Sequence, residues 1–452
     1  MSAFKQKLAR IGATAGVLAA TTAAIMAVGG ADASSALALT CPGAEAVSIQ
    51  GRGSSLQRVG QEQWTGRVVP TAEGTTPYTE LTGPVGYAKT VANGGCHEAA
   101  VSYTSTSSGS GLTAFRFTGT GSILTSFAFV GSDDGPTVPQ IENAESATSK
   151  KAKPLIIPVA ETAIGVPINL PSGCSFKSGQ GLTWAQLNGI FAGTITTWND
   201  AALSSAITGT CTGNITRVVR TEASGTSTQF KNYLAELQAS HGGAAPGCGF
   251  TNWSELKAVG GSPEPNIEWP ECRGIIKREP GGGEVAKFVA ETHGTIGYAA
   301  LPDVKSKSAT PAPLQDFSEE GEARFAKPEA ASGEVSNCGA RSYTVPSGVR
   351  EGESGVNASW FEVFGSNATV GGSLYPVCTL TYDIAWNNYK EAGYGTNGPK
   401  IAKNVKAYLE YVLTTGQSVG HWYQALPQPE TAKTGAPKNV LGAAKTALAL
   451  IS

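Results

Sequence analysis

Histidine is scarce in this chain, with four in 452 residues (His97, His241, His293 and His421), and none sits in H-E-x-x-H or another metal-ligand spacing. A metal hydrolase therefore lacks its ligands, and a hydroxyl nucleophile lacks an obvious base. No C-x-x-C occurs among the eight cysteines, which argues against zinc. Neither a metal nor a cofactor is expected. Charged residues make up only 15% of the chain, and 33 basic against 35 acidic side chains leave a net charge of −2. Such a chain has no bulk attraction for nucleic acid or an anionic membrane, so an anionic ligand has to be held by local geometry. Beyond residue 33 no segment approaches the roughly 20 apolar residues of a spanning helix. No internal repeat of solenoid period stands out.

What is present begins with an export signature. Lys5, Lys7 and Arg10 precede "IGATAGVLAATTAAIMAVGG", and Ala31-Asp32-Ala33 supplies an A-x-A cleavage site. Residues 1–33 read as a removed signal peptide and the protein as exported: periplasmic, cell-surface or extracellular. Removing Lys5, Lys7, Arg10 and Asp32 with that segment takes the net charge from −2 to about −4. The even set Cys41, Cys96, Cys174, Cys211, Cys248, Cys272, Cys338 and Cys378 then reads as disulfides. Eight cysteines allow 105 connectivities; consecutive pairing is the expectation, because each such pair lies within one stretch. Cys41 as a lipid-anchor site is the lesser alternative, since "ALT" before it lacks the usual leucine and small residue of a lipobox.

The length suits two domains, and 57 glycines predict many turns and close backbone approaches. "AVSIQGRGSSLQ" and "EAAVSYTSTSSGSGL" each read as a strand ending in a small-residue turn, and "SFAFVGSDDGP" closes on acidic residues. "PLIIPVAETAIGVPINL" predicts two strands joined across a turn. "LTWAQLNGIFAG" predicts a helix behind a Thr183 cap, with Leu182, Leu187, Ile190 and Phe191 as its apolar residues. "ITRVVR" is a strand leading into "RTEASGTSTQF", behind which Phe230, Tyr233, Leu234 and Leu237 form the stripe of a helix. "GGEVAKFVAETHGTIGYAAL" reads as helix, turn and strand, "TYDIAWNNY" as a strand, and Ile401 to Leu413 as a late helix. Residues 302–370 read as long loops held by Cys338. Alternating strands and helices indicate an α/β fold.

Three loops are rich in donors: "GRGSSL", "STSSGSG" and "ASGTST". Each is expected to open a helix, whose unpaired N–H groups and partial positive charge hold anions. Taken singly, serine and threonine there are ordinary caps; three such loops beside Arg220, which can grip an oxyanion at two points, point to a site. Asp133 would repel a fully deprotonated anion yet accept a hydrogen bond from a protonated one, which favours phosphate over sulfate; its plainer reading is a turn residue. "GQSVG" at 416–420 matches the G-x-S-x-G elbow in letters only, because it follows a helix instead of a strand. His293 reads as a surface residue, and Trp184 and Trp198 as packing residues.

Together "GRGSSL", "YTSTSSGSG", "FVGSD", "LTWAQLNGIFAGTITTWND", "ITRVVRTEASGTSTQF" and "HGTIGY" resemble, in order and chemical pattern, the phosphate-binding proteins of high-affinity phosphate ABC importers. The resemblance spans roughly residues 46–134, 155–300 and, more faintly, 375–435. It implies a two-lobed, class II periplasmic-binding-protein-like α/β fold with phosphate in the cleft between the lobes. Lobe 1 would comprise 34–156 plus 300–452 and lobe 2 157–299, with a long insertion at about 302–370. By position it implies contacts from Ser55, the Leu56 backbone, Ser108, Asp133, Arg220, Ser224, Gly225 and Thr226. Glu222 would orient Arg220 where the family has an aspartate, and Asp133 would accept the phosphate proton. Leu56 stands for the usual phenylalanine and Ala223 for a glycine, while 57–95 and 302–370 exceed the usual lengths. The implied partners are inorganic phosphate and a membrane ABC permease, with the chain acting as a monomer and not as an enzyme. The rival readings are a secreted phosphohydrolase using the same cradle and a phosphate-binding or adhesion protein without transport.

Overall fold

A computed structural model describes residues 47–66, 86–87, 100–256, 265–317, 324–333, 335–338, 374–418, 423–426 and 440–452. All of them belong to one compact unit, Ala38–Ser452. The expected signal peptide, Cys41, Cys96, His97, His421 and most of the 302–370 segment lie outside the described residues.

The chain begins with β1 (Ile49–Gly53), α1 (Arg58–Thr65), β2 (Val101–Ser105), α2 (Ser108–Ala114), β3 (Phe129–Ser132), α3 (Val138–Ala147) and β4 (Pro154–Gly165). Next come β5 (Ile168–Asn169), β6 (Cys174–Phe176), α4 (Trp184–Ala192), β7 (Ile207–Gly209), β8 (Thr216–Arg220) and α5 (Gly225–His241). They are followed by β9 (Ile275–Glu279), α6 (Gly281–Glu291), β10 (Thr295–Gly297), β11 (Ala299–Ala300), α7 (Leu301–Ser306), β12 (Leu314–Gln315) and β13 (Phe325–Ala326). The last elements are β14 (Cys378–Trp386), α8 (Gly398–Val412), β15 (Tyr423–Gln424) and α9 (Val440–Ala449).

Two sheets carry the fold. In the seven-stranded sheet the order is β11-β4-β14-β3-β1-β2, with β15 paired to β4. Its β2, β1 and β3 are parallel, and β14 runs antiparallel to both β3 and β4. The four-stranded sheet has the order β5-β10-β8-β9, parallel from β10 to β9. Parallel strands β1 and β2 of the first sheet and β8 and β9 of the second each lead into a helix, so their C-terminal ends collect backbone donors; this is where ligands sit in open α/β sheets. Central strands β4 and β14 are buried along their whole length, which explains their continuous β-branched and aromatic runs.

Most predicted elements are found. Thr183 caps α4 by accepting from the Gln186 N–H at 3.3 Å, and the Gln186 side chain returns to the Thr183 N–H at 2.9 Å. Phe230, Tyr233, Leu234 and Leu237 are all buried on α5, each such burial contributing about 1.5–3 kcal/mol. "PLIIPVAETAIGVPINL" forms two strands as expected, with the break at Val166–Pro167. Pro158 sits where the β4–β14 register shifts, a bulge that tolerates a residue without an N–H. The expected boundary between 156 and 157 falls inside β4, which pairs with the first sheet along its length.

Three of the expected consecutive disulfides are present: Cys174–Cys211, Cys248–Cys272 and Cys338–Cys378. The fourth pair, Cys41 with Cys96, lies outside the described residues. Trp198 is buried in the core, and Trp184 stacks on His241 and Phe317, both as packing residues.

Candidate anion-binding site

The three donor-rich loops behave as expected: β1 leads to α1, β2 to α2 and β8 to α5. Capping and site roles are divided among neighbouring hydroxyls. Ser107 caps α2 by accepting from the Ser110 N–H at 3.1 Å, which leaves the adjacent Ser108 to face Asp133. The Asp133 N–H donates to Ser108 Oγ at 3.2 Å, and that hydroxyl lies 3.4 Å from Asp133 Oδ2. On α5, Ser224 is itself the cap, its Oγ accepting from the Ser227 N–H at 3.3 Å.

Asp133 is the centre of the arrangement. Only 1% exposed, its carboxylate accepts from the hydroxyls of Ser54 and Thr381 (2.9 Å) on Oδ1 and of Thr226 (3.0 Å) on Oδ2. Gln229 Nε2 donates to its backbone carbonyl at 3.0 Å. Burial pushes the Asp133 carboxyl up, against the downward pull of the Ser54, Thr381 and Thr226 hydroxyls and the Arg220 charge; burial prevails. The group is therefore a better proton acceptor than an exposed aspartate, yet donors surround it.

Arg220 approaches from the second sheet, also almost fully buried. Glu222 Oε1 accepts from its Nε at 2.7 Å and from its Nη2, which leaves Nη1 for a further partner. The longer glutamate side chain thus does orient the arginine. Thr221 Oγ1 (2.9 Å) and the Gly281 N–H (3.1 Å) hold Glu222 in place. Burial disfavours charge on both partners, but each ion favours the other strongly enough that Glu222 falls below the usual carboxylate range and Arg220 rises above its ordinary value.

The two halves are in direct contact. A Cβ at Gly225 would lie 2.6 Å from Ser108 Oγ and 2.7 Å from the Asp134 nitrogen, so no larger residue fits where α5 meets the loops of the first sheet. Likewise a Cβ at Gly109 would lie 2.9 Å from that of Ala223, so Ala223 is accommodated because residue 109 is glycine. Ser55 faces the start of α6, with the Gly282 N–H 3.5 Å from its Oγ, and the Leu56 N–H turns to Ser54 Oγ at 3.1 Å.

Several contributors carried no sequence signal. Ser54, one position before the expected Ser55, is the hydroxyl that reaches Asp133. Thr381 comes from β14, 248 residues away in the chain. Asn266 clamps Ser224, accepting from its N–H and donating to its carbonyl, both at 2.9 Å. Arg58 of α1 pairs with the buried Asp303 at 3.2 Å, and Asp303 Oδ2 lies against Gly282. The glycine-rich start of α6 could have been read as a fourth donor loop from "PGGG".

The described histidines stand away from this centre. His241 ends α5, a helix of 17 residues and so about 25 Å from Ser224. His293 is exposed and contacts the Leu170 carbonyl at 3.0 Å. "GQSVG" begins in a short turn of helix after α8, not at a strand end.

Comparison with known proteins agrees with this architecture. A family model described as "PBP superfamily domain" matches residues 61–415. The phosphate-binding protein PstS of Methanocaldococcus jannaschii is 27% identical over 319 residues, 67% of this chain and 72% of that protein. The phosphate-binding protein PstS of Xylella fastidiosa (strain Temecula1) is 34% identical over 122 residues, 26% of this chain; the match spans just 28% of that relative's length. Among solved structures, a human phosphate binding apolipoprotein superposes with a TM-score of 0.54 at 17% identity, covering 84% of this chain and 91% of that one, which shows a shared fold.

Proposed function

This chain belongs to the PBP superfamily, and from that premise we propose that it captures inorganic phosphate outside the cytoplasm and delivers it to a membrane ABC permease. The observation that carries the proposal is Asp133: a buried carboxylate with hydroxyl donors on both oxygens, held near the buried Arg220 cation at a junction of three helix starts. An all-donor cradle would take any tetrahedral anion. A carboxylate inside it selects one that still carries a proton, as phosphate does near neutral pH and sulfate does not. Curated relatives named phosphate-binding protein PstS support the same reading.

In this proposal Ser55, the Leu56 backbone, Ser108 and Asp133 hold the ligand from lobe 1, and Arg220, Ser224, Gly225 and Thr226 hold it from lobe 2. Glu222 keeps the guanidinium aimed. Lobe 1 is 34–156 with 300–452 and lobe 2 is 157–299, the far part of β4 serving as a crossing segment; hinge closure traps the ion. Residues 1–33 direct export and are removed. No covalent step is involved: Ser224 Oγ is engaged as a helix cap, and the described histidines lie elsewhere.

Calorimetry on protein stripped of bound ligand tests this with phosphate, sulfate and arsenate. Phosphate should bind at least about 100-fold more tightly than sulfate, a gap of roughly 2.7 kcal/mol. Asp133→Asn should narrow that gap. Absence of phosphate binding by the wild-type chain rejects the reading.

A further inference from the structure

Behind Asp133 lies a chain of buried amides and hydroxyls whose direction can be worked out. Gln57 Nε2 donates to the Tyr382 carbonyl and to Thr381 Oγ1, both at 2.8 Å. A backbone carbonyl accepts only, so the Gln57 amide has one orientation, and Thr381 Oγ1 must be its acceptor. The Thr381 proton then has two acceptors in reach, Asp133 Oδ1 at 2.9 Å and the Ser132 carbonyl at 3.3 Å, and the nearer is the carboxylate. Ser54 is set the same way: its Oγ accepts from the Leu56 N–H, so its proton goes to Asp133 Oδ1. Gln57 is locked from behind by Gln61, whose Nε2 reaches Gln57 Oε1 at 3.1 Å and both oxygens of Asp383 at 3.2 Å. Gly131 leaves room for the amide, since a Cβ there would stand 2.6 Å from Gln57 Oε1.

Oδ1 therefore carries two hydroxyls: Thr381, pinned by Gln57 from outside the ligand cradle, and Ser54, pinned by the Leu56 N–H at its edge. Oδ2 carries Thr226 at 3.0 Å and Ser108 at 3.4 Å, both of which are cradle residues themselves. Resting on the phosphate reading above, we infer that Thr381, aimed by Gln57, is a positioning residue that saturates Asp133 Oδ1, so that the proton of a bound oxyanion is delivered to Oδ2 as Thr226 and Ser108 turn from the carboxylate to the ligand. The hydroxyl pair on Oδ1 also stabilises the ionised carboxylate, the form that can accept the ligand's proton. Site and relay are joined through β14, a strand with no part in the three donor loops.

The test follows two readouts in wild type, Thr381→Val, Gln57→Met and Thr381→Ser. One is the acid limb of inorganic phosphate binding by calorimetry, where affinity falls as Asp133 takes up a proton. The other is the titration of the Asp133 carboxyl carbon in 13C-aspartate-labelled, ligand-free protein. Thr381→Val should move both to higher pH by about one pH unit, the effect of losing one hydrogen bond to a charged group. Gln57→Met should move them in the same direction by less, and Thr381→Ser should return them toward the wild-type position. An Asp133 titration unmoved in Thr381→Val overturns the inference; should that variant not fold, an unmoved titration in Gln57→Met overturns it. A wild-type chain that does not bind phosphate refutes the functional reading, while the carboxyl titration still decides the relay.

Discussion

At the scale of single residues, the site depends on two buried charges and one missing side chain. Arg220 is held by Glu222 and has Nη1 to offer a ligand, so Arg220→Ala should cost phosphate binding at least about 2 kcal/mol, roughly 30-fold, by calorimetry. Gly225→Ala is predicted to be a closure mutant. Its Cβ would collide with Ser108 and with the Asp134 backbone, which cannot retreat as a flexible side chain could. Phosphate affinity should fall at least about tenfold with little change in melting temperature, because the collision exists only when the two halves meet. Asp133, Ser108 and Thr226 were legible in the sequence because each lies in a short motif at a strand end. Ser54 was not singled out beside Ser55, since a Ser-Ser pair does not reveal which hydroxyl faces the carboxylate. Thr381 was illegible: nothing local distinguishes it from any other threonine in a buried strand.

At the scale of elements, periodicity and capping chemistry located α4, α5, α8 and β8, because those signals are written within a few residues of where they act. The bulge at Pro158 was not legible, because it depends on the partner strand β14 and not on β4 alone. Strand β14 carries a second consequence of burial. Asp383, fully buried, has its carboxyl pushed up to about 7 by desolvation, against the hydrogen bonds from Gln61 and Gln57. A raised carboxyl means that the folded state binds its proton more tightly than the unfolded chain, where the group titrates near its ordinary 3.8. The cost to stability is therefore full above about pH 7, shrinks as the pH falls through the window down to about 4, and is absent below it; its ceiling is about 4 kcal/mol. Asp383→Asn should raise the melting temperature at pH 8, with the gain diminishing toward pH 4 in parallel thermal scans.

At the scale of the whole molecule, two sheets of different size bring their parallel strand ends together, and the candidate site lies where α1, α2 and α5 begin. Neither sheet has the complete set: Asp133 and Ser108 belong to one, and Arg220 and Thr226 to the other. Among the described residues three disulfides join cysteines 37, 24 and 40 positions apart; Cys174 opens β6, and Cys378 opens β14, the strand that carries Thr381. Each bridge over such a loop is worth about 3–4 kcal/mol by restriction of the unfolded chain. Reduction should lower the denaturant midpoint clearly, and phosphate should restore part of the loss, since a ligand that binds only the folded state stabilises it by mass action. Unequal phosphate protection of the oxidised and reduced chains, measured at the same ligand concentration, would show that the bridges shape the site itself.

The amino-acid sequence by itself determined the α/β class, the helix starts that supply donors and Asp133 as a candidate carboxylate, because each is a matter of neighbouring residues and their spacing. Only the tertiary structure decided which hydroxyl reaches which carboxylate oxygen, that Gly225 marks the contact between the two halves, and that Thr381 and Gln57 stand behind Asp133. Those relations join residues as much as 324 positions apart, and a hydrogen bond has a direction and a length that no spacing along the chain encodes.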